Sequence, residues 1–159
     1  MHKQEIIMIV VTILAVALVA LAVIFGTLKF VNPAKYMNKS RDSQRVSDVA
    51  KLQTALDLYV ADGHDFNSLT PNQIYNSNSG RNWLPIDFKA ISSGAPISEL
   101  PIDPLNNANF YYRVGVNITQ KTYEIDCRFE TSDFQKRAAA DGGNNSDWYE
   151  IGTDLSILN

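Results

Sequence analysis

The sequence predicts an α+β fold: a long N-terminal α-helix, membrane-spanning in its first half and amphipathic in its second, packed on a small antiparallel β-sheet head. Three observations predict it. Residues 6–25 form an apolar run in which Thr12 is the only polar side chain. Residues 34–62 contain neither Gly nor Pro and repeat apolar residues at three- and four-residue spacing. Residues 110–116 and 122–130 alternate apolar with polar, the period of half-buried strands. The expected organisation is an apolar helix over 1–31, the amphipathic half of the stalk over 32–63, and a loop-rich head with about three strands over 64–159.

The apolar run reads IIMIVVTILAVALVALAVIF. Its twenty residues, at about 1.5 Å each, span roughly 30 Å, the hydrocarbon thickness of a bilayer. No comparable run follows, so the chain is expected to enter the membrane once. Ala20-Leu21-Ala22 offers a signal-cleavage pattern, but the apolar stretch continues to Leu28, long for a signal peptide. Charge is divided along the chain, with seven Lys/Arg against three Asp/Glu in residues 1–51 and seven against fourteen in residues 52–159. Lys3 precedes the run, whereas Lys29, Lys35, Lys39, Arg41 and Arg45 follow it. By the positive-inside rule alone the C-terminal domain would face the cytoplasm. Glu5 stands at the lip of the run. A carboxylate there either snorkels to the headgroups or pairs with a cation on another copy of the chain, the nearest being the α-amino group of Met1 if that terminus is free.

Gly26 and Asn32-Pro33 interrupt helical continuity, Pro33 by lacking an N–H and clashing with the preceding turn, so a kink or unwound segment is expected there. Beyond it Val46, Val49, Leu52, Leu56 and Tyr59 share one face, and Gly63 occupies the position that ends the helix. Arg41, Arg45 and Lys51 read by default as a solvated face, with contact to lipid headgroups or assembly partners as the alternative. Residues 63–109, rich in Asn, Ser, Gly and Pro, read as loop with a short helix near 71–75. Two strands follow, joined by a turn over 117–121. In the second, Tyr123, Ile125, Cys127 and Phe129 face the core while Glu124, Asp126, Arg128 and Glu130 form an acidic outer face. Residues 148–152 make a third strand.

Composition excludes several chemistries. A single cysteine cannot close an intramolecular disulfide, and His2 and His64 are too far apart for a zinc motif of ordinary spacing. There is no G-x-S-x-G, no H-E-x-x-H and no phosphate-cradling glycine loop, so an enzyme is not expected. Cys127 reads as a buried, inert thiol and His64 as an exposed loop residue. Asn38, Asn117 and Asn144 satisfy N-x-[ST], which carries little weight in an Asn-rich chain. No cofactor is expected apart from a calcium candidate, Asp141, Asn144 and Asp147 with Glu150, in an oxygen-rich loop that lacks the EF-hand order and reads first as a plain Gly-rich turn.

Three stretches together resemble the type IV pilins and type II secretion pseudopilins. Glu5 opening an apolar helix in a chain numbered from Met1 matches the mature pilin pattern of a hydrophobic first residue and a glutamate at the fifth. The segment NPAKYMNKSRDSQRVSDVAKLQTALDLYVADG, residues 32–63, is similar to the pseudopilin run in which an Arg-Asp pair, a further Arg and an Asp precede an apolar helix ending in tyrosine. LPIDPLNNANFYYRV, residues 100–114, with KTYEIDCRFE and DGGNNSDWYEIGTDL after it, is similar to the Leu-Pro-x-Asp-Pro segment and closing strands of such heads. The chain departs from the pattern at His2, Lys3 and Gln4, where the family has small or apolar residues, and it lacks Gly or Pro in the middle of the run.

The resemblance implies a structural subunit that polymerises through its N-terminal helix into a type IV pilus or pilus-like filament, supporting adhesion, motility or DNA uptake. Met1, Glu5, Gly26 and Pro33 would be its assembly residues. Its partners would be copies of itself, a prepilin peptidase and an inner-membrane assembly machinery. The N-terminus would be cytoplasmic and the head outside, first in the cytoplasmic membrane and then on the surface. In such a filament Glu5 of one subunit would neutralise the Met1 ammonium of a neighbour. An acidic exterior would repel bare nucleic acid, so no direct nucleic-acid site is expected. The rival reading is a single-pass anchored, exported protein whose head binds a ligand or partner and never polymerises.

Overall fold

The computed structural model describes residues 3–30 and 32–159, in two compact units, the first ending at Met37 and the second comprising Asn38–Asn159. It is an α+β chain with a four-stranded antiparallel sheet. Met1, singled out above, lies outside the described residues.

The first unit holds α1 (Lys3–Phe30) and the start of α2 (Pro33–Ala61). Gly26 does not interrupt α1, since one glycine costs a helix only about 1 kcal/mol. The break comes at Asn32-Pro33, and Pro33 opens α2, where its missing N–H is no loss. Asn32 caps this start, its Oδ1 accepting from Lys35 N at 3.3 Å.

In the second unit α2 ends as its glycine predicts. Gly63 has φ +90°. The N–H of His64 bonds to Tyr59 O (3.2 Å) and that of Gly63 to Val60 O (3.0 Å), the paired bonds of a Schellman turn. The strands are β1 (Tyr75–Asn76), β2 (Arg113–Asn117), β3 (Thr122–Cys127) and β4 (Tyr149–Gly152), paired in that order, and α3 (Ser132–Ala138) lies between β3 and β4. Val49, Leu52, Ala55 and Leu56 of α2 are buried in one core with Val114, Val116, Tyr123, Ile125 and Cys127 of the sheet and Phe66, Trp83, Leu84 and Phe88 of the long connection. Two tyrosine hydroxyls tie α2 to this core: Tyr112 donates to Asp48 Oδ2 (3.1 Å) and Tyr123 to Asp57.

Several expectations are corrected. The residues near 71–75 form no helix; a turn with Asn72 at φ +59° leads into β1, giving four strands rather than about three. The strand expected from 110 begins at Arg113, because Asn107 Oδ1 binds the N–H groups of Asn109 and Phe110 in a local turn. The strand expected to reach 130 ends at Cys127, and α3 was not anticipated. Most consequentially, the outer sheet face is not solvated. Glu124 and Asp126 are buried, and so are Arg113 and Glu150 beside them.

Register explains this. One row across the sheet is Arg113–Asp126–Glu150 and the next is Gly115–Glu124–Gly152. With glycine on both sides of Glu124, residues 157–158 lie down on the face: a Cβ on Gly115 would stand 2.7 Å from Leu158 Cδ2. Glu124 Oε2 accepts the N–H groups of Ile157 and Leu158, each at 2.7 Å.

Candidate functional site

Two features of the chain carry functional weight, one in each unit. In the first, Lys3–Gly26 is long and apolar enough to cross a membrane, the one such helix among the described residues. Its large side chains from Ile6 to Phe25 are exposed, Met8 and Val16 each at 66%. A helix apolar all round demands cover from lipid or from other helices. Thr12, its one polar member, donates to Met8 O within the helix and so carries no unmet hydroxyl into an apolar environment. Glu5 lies in the first turn, where the helix dipole favours a carboxylate. A Cβ on Gly26 would meet nothing within 4 Å, so its contact surface is open.

In the second unit, Arg45 is fully buried, not solvated as its charge suggested. Its guanidinium takes Asp103 in a fork, Nε to Oδ2 at 2.7 Å and Nη2 to Oδ1 at 3.0 Å. Nη1 reaches Asp42 Oδ1 (2.8 Å) and Glu130 Oε1 (2.7 Å). Arg41 adds a second fork on Glu130, at 2.7 and 2.6 Å. Asp42 also accepts the N–H groups of Glu130 and Thr131 and the Thr131 hydroxyl, and Asp103 accepts those of Leu105 and Asn106. The Arg-Asp pair of α2, the Leu-Pro-Ile-Asp-Pro segment and the chain leaving β3 therefore converge on one ion network. Burial opposes the Arg45 charge, but the hydrogen bonds it donates to Asp103 and Glu130 outweigh it and hold its pKa above the ordinary value. The network's signal was present in the sequence: Arg45 stands four residues before Val49 and seven before Leu52, on the apolar stripe itself.

The hydrogen bond from Arg41, reinforced by Arg45, holds the Glu130 carboxyl below the usual glutamate range. The folded chain therefore favours this carboxylate more than the unfolded chain does. Its stabilisation is complete above the ordinary glutamate pKa and vanishes as pH falls through the lowered one. On acidification from about pH 6 to about pH 3 the melting temperature of the wild-type chain should fall relative to that of Glu130→Gln. An unchanged slope in the variant would show that Glu130 does not carry it.

In the loop over 141–147 both Asp141 oxygens are engaged locally. Asp141 accepts from Gly143 N (2.8 Å) and Glu150 N (2.8 Å), and the Asn144 amide donates to Asn159 Oδ1 (3.4 Å). Asp147 is exposed. Cys127 is fully buried and burial pushes its thiol well up, which suits a core position rather than a nucleophile. His64 is half-buried, stacked on Tyr59 at 4.6 Å between ring centres. Asn38 Oδ1 accepts from Arg41 (2.8 Å) and Asn117 Oδ1 from Gln120 N (3.0 Å), so both serve local structure.

No family model, no curated protein and no solved structure matches this chain.

Proposed function

We propose that this protein is a pilin-like structural subunit, held in the cytoplasmic membrane by α1 before assembly and polymerised through α1 into a surface filament afterwards. The observation that carries the reading is the pairing of a wholly apolar, exposed helix with a separate unit whose core is complete in itself. Such a helix serves as a membrane anchor in the monomer and as a filament spine when many copies pack together. Glu5 would select register by neutralising the terminal ammonium of a neighbouring copy, because a misplaced subunit leaves a charge buried in apolar surroundings. Gly26 and Asn32-Pro33 are the places where the spine could change direction.

Glu5→Ala should abolish filaments sheared from cells while leaving the melting temperature of the head unchanged. Filaments at wild-type yield would refute the role of Glu5. An N-terminal peptide from the sheared fraction bearing a processed, N-methylated residue would support polymerisation. The same peptide found unprocessed and only in membranes would favour a non-polymerising, anchored binding protein. That second reading has one observation of its own, a cleft of about 750 Å³ lined by Arg81, Leu84, Ile86, Phe88, Glu99 and Leu100, where a ligand or peptide could lodge.

A further inference from the structure

Three carboxylates converge on the covered face of the sheet. Asp126 and Glu150 are directly opposed in the β3–β4 register, and Glu124 follows Asp126 on the same face of β3. One oxygen from each can be taken so that all three lie within 4.8 Å of one another. Their exposures are 0%, 0% and 1% for Glu124, Asp126 and Glu150. Like charges directly opposed on a sheet, and buried, are costly, so this arrangement needs a counterpart.

The hydrogen bonds show how each carboxylate is held. Glu124 is fixed through Oε2 by the N–H groups of Ile157 and Leu158. Asp126 is fixed through Oδ2 by Arg113 Nε (2.7 Å), and Glu150 through Oε1 by Asn145 N (3.1 Å). In each case the other oxygen, Glu124 Oε1, Asp126 Oδ1 or Glu150 Oε2, meets no N–H or hydroxyl donor among the described residues. One oxygen orients the group and the other is left to converge with its neighbours. Buried polar atoms are rarely left unpaired, and three in one cluster point to a common ligand.

Charge and chemistry define that ligand. The three carboxylates have one direct ion pair among them, Arg113 to Asp126 at 2.7 Å, and a divalent cation offsets the negative charge that remains. The donors are all oxygen, without Cys or His, which selects a hard cation over zinc or copper. The spacing fits calcium, whose coordination sphere is about 4.6–5.2 Å across and tolerates irregular geometry. The loop over 141–147 flanks the cluster, and a Cβ at Gly143 would overlap the Glu150 carboxylate. Burial pushes all three carboxyls up, and the charge of Glu124 adds to it at Asp126 and Glu150.

We infer that Glu124, Asp126 and Glu150 form a calcium site that pins the C-terminal segment and the loop over 141–147 to the outer face of the sheet. This site shares Glu150 with the calcium candidate read in the sequence and takes Glu124 and Asp126 in place of Asp141, Asn144 and Asp147. The inference is independent of whether the chain polymerises.

The test is thermal melting of the full chain in detergent, followed by near-ultraviolet dichroism, after chelation and again with about 1 mM calcium chloride. Calcium should raise the midpoint by roughly 5–10 °C if it is present at about a hundredfold over its dissociation constant. Asp126→Asn and Glu150→Gln, which keep shape and remove charge, should each abolish the rise. If Asp126→Asn fails to fold, Glu150→Gln alone decides. No rise in the wild-type chain would overturn the site. So would a rise retained in the variants, or one lost only in Asp147→Asn, which would place the ion in the loop instead.

Discussion

Arg45→Ala should lower the melting temperature of the head more than any other single side-chain truncation in α2. Removing the guanidinium strands Asp103 without its fork and Asp42 and Glu130 without their shared donor, all inside a buried site. Breaking one partner of a buried ion pair costs about 3–5 kcal/mol, and here three carboxylates lose the same partner. For a unit of this size the midpoint should fall by roughly 10–20 °C. Arg45→Lys keeps the charge but cannot span Asp103 bidentately while reaching Asp42 and Glu130, and should fall between wild type and alanine. Near-ultraviolet dichroism of Trp83 and Trp148 is the right probe, since both lie in the second unit and are buried. A loss of less than about 2 °C for Arg45→Ala would mean that the backbone donors around Asp42 and Asp103 suffice.

The Arg45 cluster also shows what could and could not be read in advance. Periodicity is a local property, and it located the apolar run, the amphipathic helix, the Gly63 stop and the β2–β3 pair within a few residues. It also placed Glu124 and Asp126 on one face. What covers a face is not local. The cover depends on Gly115 and Gly152 flanking Glu124 across the register, and on residues 157–158 returning about thirty positions later to donate to it. Alternation therefore suggested a solvated acidic surface where the fold has a buried one. β1 was missed for a related reason. Two residues are too short to show a period, and Tyr75 and Asn76 are strand only because β2 lies alongside them. Arg45 was misread for a different reason: charge was allowed to override position, although its spacing from Val49 and Leu52 put it in the core.

On the proposed anchor role of α1, removing residues 1–37 should take the chain out of the membrane fraction with the fold of the second unit retained. The argument rests on where each unit keeps its apolar surface. From Ile6 to Phe25 the helix presents side chains such as Val11 at 59%, Leu14 at 57% and Val23 at 60% exposure. At about 25 cal/mol per Å² of apolar surface, a span of this length partitions into lipid essentially irreversibly. The second unit, by contrast, holds the core residues of α2 and the sheet within Asn38–Asn159, and the ion network begins at Arg41, inside that boundary. Truncation at Asn38 leaves α2 without its Asn32 cap, which should fray its first turn at a cost of about 1 kcal/mol without disturbing Val49 or Leu52. Fractionation should therefore move the protein from the membrane pellet to the supernatant. The melting midpoint should shift by no more than about 5 °C. A truncated chain that aggregates would show instead that the second unit depends on α1 for cover, and the separation of anchor from head on which the filament proposal rests would fail with it.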